Sequence, residues 1–139
     1  MTRTIVTLAV AALLAAVTLT GCGETGSWLV QEDADGRVLL VAGDHHGERP
    51  NAYVQGELTL VGGTCFGLAG EFGDATVGFP HGTTIVYGAG LDIPGFGPLA
   101  MGDHIEGPGG TLSLEAIGFA GDLPAECRPD AVSQLNPFD

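Results

Sequence analysis

Apolar and polar residues alternate with a period of two in the middle of this 139-residue chain. The alternation is clearest over residues 53–60, with Leu58 and Leu60 on one face and Glu57 and Thr59 on the other. This period is typical of a β-strand that buries one side. Other short runs rich in apolar and β-branched residues predict further strands, at residues 28–30, 37–42, 64–68, 75–79, 84–87, 104–107 and 111–117.

Glycine, proline and aspartate residues separate these runs and predict the turns between them. Residues 88–98 hold four glycines and two prolines among apolar residues, and they predict a long ordered loop rather than a helix. Residues 130–134 predict one helical turn with Asp130 as its N-cap. Turns are expected at residues 33–36, 62–63, 80–83 and 108–110, with a polar loop over 43–51 and a mobile link over 70–74.

The fold class follows from this arrangement. No stretch shows a sustained helical period, and the turns recur about every 8–12 residues, as in small barrels and sandwiches. We therefore predict an all-β fold, a small glycine-rich β-barrel or sandwich of about seven short strands. The 24 glycines suit a barrel with tight corners, where backbone segments approach closely. The pattern leaves the choice between barrel and sandwich open.

The first 21 residues differ from the rest of the chain. One basic residue, Arg3, precedes fifteen apolar-leaning residues from Ile5 to Leu19. A membrane-spanning helix needs about 20 residues, so this segment predicts a cleaved secretory signal rather than a span.

The motif Leu19-Thr20-Gly21-Cys22 ends this segment and resembles a bacterial lipobox. The resemblance covers the first 22 residues and implies that Cys22 carries a diacylglyceryl group and becomes the first residue after cleavage. Two acyl chains anchor stably, whereas one binds reversibly. The alternatives are a secreted protein with Cys22 near the cut by chance, or a retained membrane helix. The expected organisation is a signal peptide over residues 1–21, a lipidated spacer over 22–27 and a single β domain over 28–139.

Acidic residues dominate the charge. Seventeen Asp and Glu stand against four basic residues, all arginines, for a formal net charge of −13. Because Arg3 leaves with the signal, the mature chain carries about −14. Such a charge repels nucleic-acid phosphates and anionic lipid headgroups. We expect no nucleic-acid partner, and the charge favours cationic ligands.

The cysteines predict a disulfide. Lipidation consumes Cys22 and leaves Cys65 and Cys127 as an even pair. Outside the cytoplasm, an oxidising compartment favours their pairing, and closing a loop of this length stabilises the fold by roughly 4 kcal/mol. The alternative is two buried free thiols.

Four histidines are the most evident candidate metal ligands. Adjacent His45 and His46 would point to opposite faces of a strand, and neither a His-x-His nor an HExxH spacing occurs. We therefore expect exposed loop histidines and no bound metal or cofactor. A zinc or copper site is the alternative, because such sites use two to four N, S or O ligands. Its candidate ligands are His45, His46, His81 and His104, with Asp44, Glu48 and Asp103 beside them.

No motif predicts catalysis. A glycosidase needs two facing carboxylates in a cleft, and few aromatic residues are present to line a sugar groove. Cys65 lies within a predicted strand rather than on a Gly-x-Ser-x-Gly elbow. No lysine follows the glycines of residues 88–97, as a phosphate-binding loop requires. The chain is therefore expected not to be an enzyme.

The apolar side chains of residues 88–98 have two interpretations. Exposed, they would form a patch of the kind that marks a partner or ligand surface. Buried, they would plug one end of a barrel, and burial is favoured. The residues concerned are Leu91, Ile93, Pro94, Phe96, Pro98 and Leu99.

A second resemblance spans residues 53 to 128. The series Gly56-Glu57-Leu58, Gly63-Thr64-Cys65, Pro80-His81-Gly82-Thr83, Met101-Gly102-Asp103 and Gly109-Gly110 resembles small exported domains of high-GC Gram-positive bacteria. It implies a compact β-barrel lipoprotein and no particular chemistry. The expected function is a lipid-anchored cell-envelope lipoprotein on the extracytoplasmic face of the membrane. It would be a non-enzymatic binding or structural module whose partner is membrane lipid plus an envelope protein or small ligand, and a metal-binding envelope protein is the alternative.

Overall fold

Ten β-strands and two short 3₁₀ helices make up the residues that the computed structural model describes, 28–43, 52–86, 90–112 and 123–137. The prediction of an all-β fold is confirmed. The 3₁₀ helices are Ala125–Cys127 and Pro129–Ala131. The strands are β1 (Trp28–Glu32), β2 (Val38–Ala42), β3 (Ala52–Val61), β4 (Cys65–Gly70), β5 (Gly73–Phe79), β6 (Thr84–Val86), β7 (Gly90–Ile93), β8 (Gly97–Ala100), β9 (His104–Thr111) and β10 (Ser133–Leu135).

Five of these strands pair in a closed circuit. β3 pairs with β4, β4 with β5 and β3 with β9, all antiparallel. β10 then lies between β9, to which it is antiparallel, and β5, to which it is parallel. The order β9-β3-β4-β5 is that of a Greek key. Because β10 joins its two ends, the arrangement is barrel-like.

Strand β2 is buried on both faces. All five of its residues are buried, as expected for a run that reads VLLVA without alternation. Leu39 and Val41 pack into the cluster that fills the barrel, whereas Val38, Leu40 and Ala42 pack into a second cluster outside it. The strand inserts where β4 and β5 diverge, pairing Val38 with Cys65 of β4 and Leu40 and Val41 with Gly78 and Phe79 of β5.

Of residues 88–98, predicted as a loop, the described part from 90 onward instead contributes to a hairpin of β7 and β8, which joins β6 in a three-stranded sheet. Gly95 and Gly97 take positive φ angles of 86° and 81° at its turn, so they supply the tight corner. Proline is tolerated at position 98 because β8 is an edge strand of this sheet. The favoured burial is confirmed for Leu91 and Ile93, which are fully buried, while Phe96 and Leu99 pack against the same cluster.

Two further local predictions are wrong. Residues 108–110, expected to form a turn, lie inside β9. Gly109 instead allows the backbone of β10 to approach closely, since a Cβ at this position would overlap the Gln134 carbonyl. Among the described residues 123–137, no helical turn has Asp130 as its N-cap. Pro129–Ala131 forms a 3₁₀ helix whose N-cap is Arg128, at φ 48°, and β10 follows.

The remaining turn and loop predictions have different outcomes. Gly62 and Gly63 form the predicted tight turn, both with positive φ. The expected mobile link over residues 70–74 is instead a two-residue turn, since Gly70 pairs with Gly73. Residues 113–117 of the last predicted strand and most of the 43–51 loop lie outside the described residues, as do the signal segment and spacer. In the described ranges, no helix is long and apolar enough to cross a membrane.

Gly78→Ala should destabilise the domain by about 2 kcal/mol. A Cβ at this position would lie 2.5 Å from Cζ3 of Trp28, so the indole would have to move. Trp28 is the only tryptophan in the sequence, and its fluorescence in a denaturant titration reports both the stability and the displaced ring.

Gly70→Ala is the matched control for that substitution. Its nearest neighbour is the Gln55 carbonyl oxygen at 3.5 Å, an ordinary contact. The control should change the free energy of unfolding by less than about 0.5 kcal/mol. Equal stability of the two variants would contradict the packing of the indole on β5.

Candidate functional site

A groove of about 370 Å³ opens at the end of the barrel where β3 begins and β4 turns into β5. Its floor is apolar and includes Leu68, Ala75 and Val77. Its other lining residues include Tyr53 of β3, Glu71 and Phe72 of the β4–β5 turn, Gly110 and Thr111 of β9, and Ser133 of β10. The volume is in the range of small-molecule sites.

Phe72 occupies the tip of the β4–β5 turn. The turn has room for only Glu71 and Phe72, because Gly70 and Gly73 already pair across the hairpin. Gly73 takes φ 107°, a conformation that favours glycine. The Phe72 side chain is 99% exposed, which is unusual for a phenylalanine and leaves its ring open to a ligand.

Tyr53 is placed by the alternation of β3. Val54 turns inward and packs against the barrel cluster, so Tyr53 and Gln55 turn outward. In the β3–β9 register, Gln55 pairs with Glu106, and the Tyr53 ring therefore lies diagonally beside that carboxylate on the same face. Tyr53 is 61% exposed.

Partial loss of water around the phenol raises the pKa of Tyr53 above its ordinary value of 10.0, and the nearby Glu106 carboxylate raises it further. Glu106 also lies 3.5 Å from Nε2 of His104. The carboxylate therefore stands between a β9 side chain, His104, and a β3 side chain, Tyr53, on the outer face of the sheet.

The groove is negatively charged. Glu71 is the one carboxylate among its described lining residues, and no lysine, arginine or histidine is among them. Arg37 is engaged elsewhere, since its Nε lies 2.6 Å from Asp33 Oδ2 and its Nη2 3.8 Å from Asp35 Oδ2. The groove therefore combines an apolar floor, two exposed aromatic rings and negative charge.

Cys65 and Cys127 form a disulfide in the structure, with Cα atoms 5.2 Å apart, in agreement with the predicted pair. Both are fully buried in the outer cluster, and the Thr76 hydroxyl donates to the Cys127 carbonyl. Cys65 begins β4, whereas the groove lies where β4 ends. The bridge is therefore a structural element away from the groove. The predicted lipidation residue, Cys22, lies outside the described residues.

The candidate metal ligands are dispersed where they are described. His81 Nδ1 lies 3.0 Å from the Ala42 carbonyl oxygen, in the turn after β5. His104 is half-exposed at the start of β9, and Asp103 accepts a hydrogen bond from the Ala100 N–H at 2.8 Å. Within the described ranges, no group of three or more His, Cys, Asp or Glu side chains could hold a metal ion. His45, His46, Asp44 and Glu48 lie outside those ranges.

The groove itself was not among the sequence predictions. Its signals were present in two places: an aromatic residue between Glu71 and Gly73 in a predicted link, and Tyr53 on the otherwise polar face of β3. Neither signal identifies a site alone, because the approach of the two segments depends on the β3–β4–β5 pairing.

Comparison of the chain with protein-family models, curated proteins and solved structures finds no match to any of them. The geometry therefore stands by itself as the basis for a function.

Glu106→Gln should lower the pKa of Tyr53 toward 10.0, because it removes the charge that opposes phenolate formation. The measurement is an ultraviolet pH titration, with Tyr53→Phe identifying which of the two tyrosines titrates. Since the folded-state pKa is raised, the associated stability is present below pH 10 and is lost as the pH rises through the folded pKa. Glu106→Gln should reduce this alkaline loss. An unchanged Tyr53 titration would contradict the electrostatic influence of Glu106 on the phenol.

Proposed function

We propose that the protein is a lipid-anchored module of the cell envelope that presents its groove as a binding site on the extracytoplasmic side, away from the membrane. The proposal combines the Leu19-Thr20-Gly21-Cys22 motif with one geometric observation. The observation that carries it is that the rim of the groove at Gly73 lies at the start of β5, whereas Trp28, where the described chain begins after that motif, lies beside the end of that strand. The floor of the groove reaches along β5 as far as Val77, so it is the rim that is remote from Trp28.

The pairing of strands gives this relation. Trp28 pairs with Ala42, and the adjacent Val41 pairs with Phe79 at the end of β5. The groove rim includes Gly73, at the start of β5. The seven-residue strand separates the two ends by about 20 Å.

A lipid on Cys22 would keep the domain close to the bilayer. The six residues 22–27 reach at most about 20 Å even when fully extended. The barrel end beside Trp28 would then face the lipid, and the end with Phe72 would face outward. A binding role for the groove requires this orientation.

The disulfide supports an extracytoplasmic location. Such bonds form and persist in oxidising compartments. The bridge joins residues 62 apart in sequence, and closing a loop of that length stabilises a domain by about 4 kcal/mol. Binding rather than catalysis is proposed because the groove offers aromatic, apolar and hydroxyl surfaces with one lining carboxylate, Glu71, and no paired acid beside it in the described lining.

Mass spectrometry of the protein purified from the cell envelope tests the anchor. We expect an amino terminus at Cys22 carrying a diacylglyceryl group, and partition into the detergent phase. Cys22→Ser should abolish both the modification and the partition. The double variant Cys65→Ser/Cys127→Ser is the control for loss of cysteine, and it should keep the lipid. An intact amino terminus, or an unmodified Cys22 thiol, would contradict the proposal.

A fluorescent label tests the orientation on vesicles that contain a lipid-borne quencher. With Cys22 lipidated and the other two cysteines bridged, Leu29→Cys and Phe72→Cys each introduce one reactive thiol. Both original side chains are exposed, 46% for Leu29 and 99% for Phe72, so both sites accept a label. Strong quenching is expected at position 29 and weak quenching at 72. The reverse order would show that the groove faces the membrane.

A further inference from the structure

We propose that the groove binds a small organic cation, an alkylated ammonium group with an apolar body, held between Phe72 and Tyr53. This inference rests on the proposed role of the groove as a binding site and adds the chemical class of its ligand. It does not require the lipid anchor.

The first observation is the pair of exposed rings at one groove. Phe72 and Tyr53 come from different hairpins, yet both border the same apolar floor. A ring that is 99% exposed makes few contacts within the domain, so its surface is available to a ligand. Aromatic faces attract alkylated ammonium groups through the ring quadrupole, and several rings around one site form the usual cage for them.

The second observation is the position of Glu106 diagonally beside Tyr53 on the outer face of the β3–β9 pair. The Glu106 carboxylate adds negative charge beside the Tyr53 ring and the groove, which strengthens the attraction of a cation held against that ring. Glu106 therefore acts on the ligand through its charge.

The charge around the groove selects the sign of the ligand. Glu71 lines it, Glu106 stands beside Tyr53, and no basic side chain is among the described lining residues. The whole chain carries a formal charge of −13, which raises the local concentration of cations. An anion would be repelled by the two carboxylates, and a neutral apolar molecule would gain nothing from them.

The floor and the size of the groove select an organic ligand over a metal ion. Leu68, Ala75 and Val77 offer no oxygen ligands from their side chains, whereas calcium and magnesium need six or more oxygens, including water. A volume of about 370 Å³ holds a small molecule with an apolar portion against this floor.

A matched pair of probes tests the proposal: choline, and 3,3-dimethylbutan-1-ol, in which a carbon replaces the charged nitrogen. The protein purified from the envelope is held in a maltoside detergent, which has no ammonium headgroup, and titrated by NMR. We expect saturable binding of choline, with shifts at residues 53 and 71–73. The neutral probe should bind about tenfold more weakly, as loss of a cation–π contact predicts.

Variants at the groove should change choline binding without unfolding the domain. Phe72→Ala should weaken it by about fivefold or more, and Phe72→Trp should preserve or tighten it. Glu71→Gln and Glu106→Gln should each weaken it. Val86→Ala and Glu126→Gln are the controls, since they remove an exposed apolar and an exposed acidic side chain outside the groove lining. Thermal unfolding verifies that each variant is folded.

The inference would be overturned by the absence of saturable binding to the folded protein, by equal affinity for the neutral probe, or by unchanged affinity in the groove variants. Displacement of choline by calcium or zinc at equal concentration would also overturn it, in favour of a metal site. Each of these results leaves the lipid on Cys22 untouched. Conversely, an unmodified Cys22 would remove the anchor while the titration still reports on the groove.

Discussion

The architecture depends on the burial of β2 on both of its faces. Leu39 and Val41 complete the interior of the barrel, while Leu40 and its neighbours complete the outer cluster that contains the disulfide. One short strand thus joins two apolar clusters, and each cluster is incomplete without it. Because these side chains are buried, truncating any of them would leave a cavity in the core and destabilise the domain. The constraint also explains why β4 and β5 diverge, since β2 occupies the space between them.

The sequence predicts the fold class because alternation and turn residues are local signals. β3 and the Gly62–Gly63 turn follow from such signals, and so does the pairing of Cys65 with Cys127, which needs only an even count and an oxidising compartment. The structure of residues 90–98 does not follow from local signals. Their glycines and prolines indicate a loop, whereas the edge position of β8 and the buried Leu91 and Ile93 make them a hairpin. Gly109 is a second case, because a glycine needed for close approach to Gln134 looks identical in sequence to a turn glycine.

The groove is a product of tertiary structure. Tyr53 lies near the start of β3 and Phe72 in the next hairpin, and the antiparallel β3–β4–β5 pairing brings both to one end of the barrel. No local pattern encodes that approach, so the candidate site could not be predicted with the fold. The histidines illustrate the converse. They are conspicuous in the sequence, yet His81 contacts a backbone carbonyl in the turn after β5 and His104 contacts Glu106 on β9, so the fold does not bring these two together.

The parallel contact between β5 and β10 has a consequence for how the chain acquires its structure. Ser133 must reach Val77 before the circuit closes, and β10, which carries Ser133, follows all the other strands of the barrel in the chain. Non-local pairings of this kind form late and slowly. A polypeptide that lacks β10 has an open sheet edge on β5 and another on β9, so the barrel cannot close until residues 133–135 are available to pair with both.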